Sequence, residues 1–192
     1  MDQITQDLQQ ALHGNDDAVE RVWLALHSDI RNIAGRLMAG ESPTPTLQPT
    51  VLINEAYLKL FGGNIPTCEN RQHFLAMISK SMSRYLIDRA RKRNAIKRGG
   101  DLHRVPLTIV AGELAKFETI CSDTGIEALV ALEALHEISP QAADVAHLRF
   151  VLGLTVDQSA LAMSISPKTV KNKWAYAKAW LRQHIAEESM SE

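Results

Sequence analysis

The chain has 192 residues, 45% of them hydrophobic, and 21 Lys and Arg set against 22 Asp and Glu, which excludes a disordered or fibrous chain and allows one large or two small globular domains. It contains no run of eighteen apolar residues and opens with Asp2 and Asp7 rather than a basic and then apolar leader, so the protein is expected in the cytoplasm, away from membranes. Cys68 and Cys121 lack metal-ligand spacing and read as reduced thiols, with no metal site expected.

Residues 3 to 13 carry Ile4, Leu8, Ala11 and Leu12 at helical spacing, and Gly14-Asn15 ends that helix with a left-handed cap. Asp16 and Asp17 open a second helix, in which Val19, Val22, Trp23, Leu26, Ile30, Ile33, Ala34 and Leu37 keep the 3.6-residue period for about five turns. Pro43, Pro45 and Pro49 in the stretch from Gly40 to Pro49 mark a loop, followed by a helix from Pro49 to about Leu60 that Gly62-Gly63 stops. Residues 61 to 72 read as a polar loop. Phe74, Leu75, Ile78, Met82, Tyr85 and Leu86 then announce an amphipathic helix that grows more basic along its length. Arg84, Arg89, Arg91, Lys92 and Arg93 fall on several of its faces, more than a helix dipole or a solvated face requires, and phosphate is the economical partner for them.

From Gly99-Gly100 to about Gly125 no period is sustained and the charge changes sign, as in a linker between domains. Residues 84 to 104 hold eight basic side chains against Asp88 and Asp101, a net of +6, whereas residues 105 to 165 hold Lys116 and Arg149 against eight acids, a net of -6. A second basic concentration, five residues with no acid, runs from Lys168 to Arg182. Two separate basic surfaces point to two contacts on one polymer.

From Ile126 the helical period returns through Leu135, stops at Ser139-Pro140, and resumes from Ala143 to Gly153. Residues Leu152 to Leu181 then read as a helix, a tight turn and a second helix. Val156, Ala160, Leu161 and Met163 are expected on one side of the first helix, with a break at Ser164, an N-cap at Ser166 and a first-turn proline at Pro167. The second helix has an apolar stripe of Val170, Trp174, Ala177 and Leu181, which leaves Lys168, Lys171, Asn172, Ala175 and Lys178 mostly on other faces. This pattern matches the helix-turn-helix, whose second helix enters the major groove of DNA. Lys171 is suited to a guanine edge and Asn172 to an adenine, Thr169 and Tyr176 complete the candidate surface, and Lys178 and Arg182 lie far enough along to meet phosphate. No alternating strand pattern and no internal repeat occurs, so the expected fold class is all-α.

Four segments follow one another along the chain: Thr46-Leu47-Gln48-Pro49-Thr50 with Asn54-Glu55-Ala56-Tyr57-Leu58; Asn70-Arg71-Gln72-His73-Phe74; Leu86-Ile87-Asp88-Arg89-Ala90-Arg91 running into Lys97-Arg98-Gly99-Gly100; and Ser166-Pro167-Lys168-Thr169-Val170-Lys171 with Trp174. In these the chain resembles an extracytoplasmic-function sigma factor of bacterial RNA polymerase over nearly its whole length. The resemblance implies two small helical domains joined by a flexible linker. Residues 1–95 correspond to sigma domain 2, which grips the polymerase clamp and opens the minus-ten element. Residues 96–125 form the linker, and residues 126–192 correspond to sigma domain 4, which reads the minus-thirty-five element. The implied partners are core RNA polymerase, through its clamp and flap, promoter DNA and an anti-sigma factor; the family uses no cofactor and catalyses nothing itself.

Carried onto this sequence, the resemblance assigns Asn70, Arg71 and His73 to the region of the extruded base and Lys80, Arg84, Arg91 and Lys92 to the DNA backbone, roles that a phosphate-tracking groove with a base pocket requires. It assigns Thr50, Val51, Asn54, Glu55 and Leu58 to the polymerase-binding face. Most relatives open that helix with a cluster of acids, and here Gln48-Pro49-Thr50-Val51 is neutral, with only Glu55 remaining. Branches of the family that resemble this chain in having a threonine there depend on a Ser/Thr protein kinase. A phosphate on Thr50, in the first turn after Pro49, suits the helix dipole and restores the missing charge. The competing reading is an autonomous helix-turn-helix repressor or activator. It requires a dimerisation helix beyond residue 182, where the tail from Glu187 to Glu192 is short and acidic. The seven histidines are scattered and no phosphate loop or catalytic triad is spelled out, which speaks against an enzyme.

Overall fold

The computed structural model describes residues 3–38, 48–61, 68–96 and 125–190, and all the secondary structure within them is α-helix. The expected linker, the Gly62-Gly63 stop, most of the loop from Gly40 and Cys121 lie outside the described residues. No helix among the described residues is long and apolar enough to cross a membrane.

Helix α1 (Gln3–Leu12) ends at Gly14, whose φ of +81° is the left-handed conformation that a glycine adopts without steric cost. Asn15 starts α2 (Asp16–Met38) by accepting the Ala18 amide on its side-chain oxygen at 3.1 Å, and Asp16 and Asp17 add favourable charge in the first turn. The predicted stripe of α2 is buried from Val19 to Leu37 except at Trp23, which is half-buried. Helix α3 (Pro49–Phe61) begins at its proline and buries Leu52, Ile53, Ala56 and Leu60. Its ring Tyr57 stands edge-on to Trp23 of α2, with centroids 4.7 Å apart.

Helix α4 (Arg71–Ile96) starts earlier than the apolar pattern suggests, because Asn70 caps it: its side-chain oxygen accepts the His73 amide at 2.9 Å. Arg71 and Gln72 are therefore helical and not part of a loop. One side of α4 meets α2 and α3, with Phe74 and Phe61 rings 6.1 Å apart. Its other side carries Ser79, Ser83 and Ile87, all buried, toward the second half of the chain. Small hydroxyl side chains let a neighbouring helix come close there.

The second half comprises α5 (Gly125–Ile138), α6 (Pro140–Phe150), α7 (Val156–Ala162) and α8 (Pro167–Met190). Pro140 cannot continue α5 and takes the first position of α6 instead. Helix α6 is buried from Val145 through Phe150, so it forms the centre of this half with α5, α7 and α8 around it. Sequence alone treats the halves as separable, yet one buried apolar cluster runs from Leu8 through Ile87 to Leu135 and Leu181. The cause is α4, which is apolar or small on two faces and packs against α2 and α3 on one side and α5, α6 and α7 on the other.

Candidate nucleic-acid interface

Thr155 opens α7 with a reciprocal cap: its hydroxyl accepts the Gln158 amide at 3.2 Å, and its own amide donates to the Gln158 side chain at 2.8 Å. The Thr155-x-x-Gln158 spacing spells this in the sequence and is a start signal that apolar periodicity alone passes over. Helix α7 buries Ser159, Ala160 and Ala162. Leu161, expected inside, is 58% exposed, because it stands one residue past Ala160 and the helix turns it away from the core. At Ser164 the backbone takes φ +52°, the Ile165 amide returns to the Ala160 carbonyl at 3.0 Å, and the chain reverses.

Ser166 then caps α8 by accepting the Thr169 amide on its hydroxyl at 3.1 Å. The angle between α7 and α8 is held by a small local core of Val145, Ala160 and Val170, ringed by Val156, Met163, Ile165 and Trp174. With Val170, Ala177 and Leu181 turned inward, Lys168, Lys171, Asn172 and Ala175 share the exposed side of α8, and Tyr176 stands beside them at 46% exposure. Thr169 is half-buried at the cap. Lys178 is half-buried too, its ammonium 5.4 Å from the centre of the Trp174 ring, with the Arg149 guanidinium at 5.8 Å from the same ring. The exposed side of α8 is thus a basic strip at a capped helix N-terminus, the arrangement suited to an acidic polymer.

The basic helix α4 is disposed differently. Arg71 pairs with Asp29 of α2 at 2.5 Å. Asn70, besides capping, donates to the Leu161 carbonyl at 3.4 Å, and Lys80 pairs with Asp144 of α6 at 2.5 Å. Arg91 pairs with Glu133 of α5 at 3.0 Å, and His73 faces a groove of about 230 Å³ between α4 and the α6–α7 corner. Of the predicted set, Arg84 and Lys92 stand exposed, Arg84 at the rim of a cavity of about 70 Å³. Beneath them Ser79 and His147 meet at 3.0 Å, and burial, with the nearby Lys80 charge adding to it, lowers the His147 pKa to about 3, so the ring is neutral. At the start of the helix, burial pushes the Cys68 thiol up to about 11, which keeps it protonated and inert.

A third surface lies on α3, where Thr50, Asn54, Glu55 and Leu58 are exposed and Val51 is half-buried. Leu58 is 62% exposed, an apolar side chain offered to solvent with no acid in the first turn of its helix. A family model for ECF sigma factors matches residues 1–187. This chain belongs to the ECF sigma factor family. No curated protein matches it. As a sigma factor it binds core RNA polymerase and promoter DNA and directs transcription initiation, and ECF sigma factors are regulators of transcription rather than enzymes.

Proposed function

We propose that this ECF sigma factor divides promoter recognition between its halves and that polymerase binding by α3 is switched on by phosphorylation of Thr50. In this reading residues 126–192 bind the minus-thirty-five duplex through a helix-turn-helix made of α7 and α8. Lys168, Lys171 and Asn172 meet base edges, with Thr169, Ala175, Tyr176 and Lys178 flanking them. Residues 1–95 hold the polymerase clamp through Val51, Asn54, Glu55 and Leu58 and open the minus-ten element along α4, with residues 96–125 as the connection. The observation that carries the reading is the one-sided exposure of Lys168, Lys171, Asn172 and Ala175 behind the Ser166 cap.

The switch rests on α3. Thr50 is exposed in its first turn, one residue after Pro49, and shares a surface with Asn54 and Leu58. A phosphate there brings about -1.5 to -2 charges and three acceptor oxygens to a helix N-terminus that holds no acid, enough for one to three charge-assisted hydrogen bonds with a basic clamp surface. A Ser/Thr protein kinase is the partner this requires, and an anti-sigma factor is a separate partner that the family resemblance implies. The test is sizing chromatography of core polymerase with the unmodified chain, with Thr50→Glu and with Thr50→Ala. Thr50→Glu should recover part of the binding, since one carboxylate supplies about half the charge of a phosphate, and the recovery should shrink with salt as screening reaches ~8 Å. Equal binding by the unmodified chain at low and high salt leaves the switch without a role.

A further inference from the structure

Lys178 lies seven residues beyond Lys171, which returns it to within about 20° of the same direction around α8, and the sequence alone therefore counts it among the groups that DNA meets. The structure gives the two lysines different surroundings. Lys171 is exposed, whereas Lys178 is half-buried with its ammonium 5.4 Å from the centre of the Trp174 ring, one turn earlier on the same helix. Helical side chains lean toward the N-terminus, so residue 178 is directed back over residue 174. The ring it meets is itself held. Trp174 packs on the local core of Val145, Ala160 and Val170. Arg149 of α6, only 7% exposed, brings its guanidinium to 5.8 Å from the ring centre while donating to the Leu154 carbonyl in the connection to α7. One indole thus joins α6, the connection into α7 and α8, and draws a cation from each of two helices.

We propose that Lys178 is a positioning residue for base readout: its charge is committed to Trp174 and not to a DNA phosphate, and through that ring it fixes the rotation of α8 that presents Lys171 and Asn172 to the base edges. The inference rests on the proposed reading of α8 as the helix that enters the major groove, and assigns one of its residues a different task. Around Trp174 the inward stripe of α8 is small. Val170 and Ala177 are fully buried, and they let α8 lie close against α6 but have little width with which to resist rolling about its axis. The flat indole, with Arg149 and Lys178 on it, supplies that resistance. Water around the half-exposed lysine screens its repulsion from Arg149. A Coulombic contact with phosphate tolerates a small roll of the helix, whereas paired hydrogen bonds to a base edge do not.

The test separates a charge held by the protein from a charge held by DNA. The full-length chain, without polymerase, is titrated by fluorescence anisotropy with a duplex that the wild-type chain selects from a randomised pool, and with the unselected pool, over a range of salt. Lys178→Met keeps most of the stem and removes the charge. It should lower the ratio of selected to pool affinity about 2- to 5-fold, the worth of one partly exposed cation–π contact, at an unchanged salt slope. A phosphate contact would instead flatten the slope of log affinity against log salt by about 0.9 and weaken both duplexes alike. Lys178→Arg should restore the ratio, because a guanidinium also stacks on indole. In a Trp174→Leu background, Lys178→Met should no longer change the ratio. A flattened slope or an unchanged ratio in Lys178→Met, or the same loss of ratio in both backgrounds, overturns the proposal. Failure of α8 as the reading helix shows elsewhere: Lys171→Ala/Asn172→Ala would then discriminate as wild type does, or the wild-type chain would select no duplex, and either result removes the ground on which Lys178 acts.

Discussion

His147 occupies the junction of α4 and α6 as a neutral ring against the Ser79 hydroxyl, and its protonation is the clearest single-residue liability of the fold. Its folded pKa, lowered to about 3 by burial and then by Lys80, lies below the usual 6.5, so the unfolded chain binds more protons in between. Its contribution to stability is complete above pH 6.5 and is lost as pH falls toward 3, at about 1.4 kcal/mol per pH unit. Urea unfolding at pH 6.5 and pH 5, a window in which most carboxylates remain ionised, should show the protein losing roughly 1 to 2 kcal/mol to this residue. In His147→Gln that part of the slope should vanish, and an identical slope in both proteins excludes the histidine as its origin. On α8 the residue-scale prediction concerns base readout. Lys171→Ala should cost about 1 to 3 kcal/mol on the minus-thirty-five duplex and relax preference at one position, whereas Arg182→Ala, three turns later, should weaken specific and random duplex alike. Equal losses on both duplexes for both variants remove the division between base and phosphate contacts.

At the scale of elements, helix starts are settled by side chains that no apolar period reveals. The α2 stripe was legible because five turns of Val, Leu and Ile leave one solution, and the Ser166 cap was legible because Pro167 follows it. The start of α4 was misplaced because Asn70 is a cap in a polar stretch, and Leu161 was misassigned because a seven-residue helix offers too few turns to fix a face. On the exposed side of α8, Lys168, Lys171, Asn172 and Ala175 were readable as the complement of the apolar stripe, whereas Lys178 was not, because it lies half-buried with its ammonium near the Trp174 ring. The α7 cap yields a prediction of its own. Thr155→Ala removes the acceptor of the Gln158 amide and should lower stability by about 1 kcal/mol, while Thr155→Ser keeps the hydroxyl and should recover most of it, as read from denaturant midpoints. Equal midpoints for the alanine variant and wild type would mean that the packing of Val145, Ala160 and Val170 positions α7 without its cap.

For the molecule as a whole, the arrangement of the halves was not legible, because Lys80 meets Asp144 across 64 positions and Arg91 meets Glu133 across 42, separations on which no periodicity bears. The basic groups of α4 were read as a DNA surface from their number, and their number does not say that acids of the same chain reach them first. A shared apolar cluster has a thermodynamic signature. If α4 serves both halves, neither half buries its own core fully alone, and unfolding should be one cooperative transition with calorimetric and van't Hoff enthalpies in agreement. Ile87 is the place to break this: it is 1% exposed on the seam side of α4, beside Leu129 and Leu132 of α5. A carboxylate at that position cannot stay buried without a partner, and separation of the halves is the route that hydrates it at least cost, because α4 keeps its packing on α2 and α3. Ile87→Asp should therefore split the calorimetric trace into two transitions and raise the radius of gyration in solution scattering. Ile30→Ala, at a fully buried site on α2, should lower the single transition by an amount equivalent to about 2 to 5 kcal/mol without splitting it. Two transitions already present in the unmodified protein would mean that the halves fold independently and that the continuity of the core contributes no cooperativity.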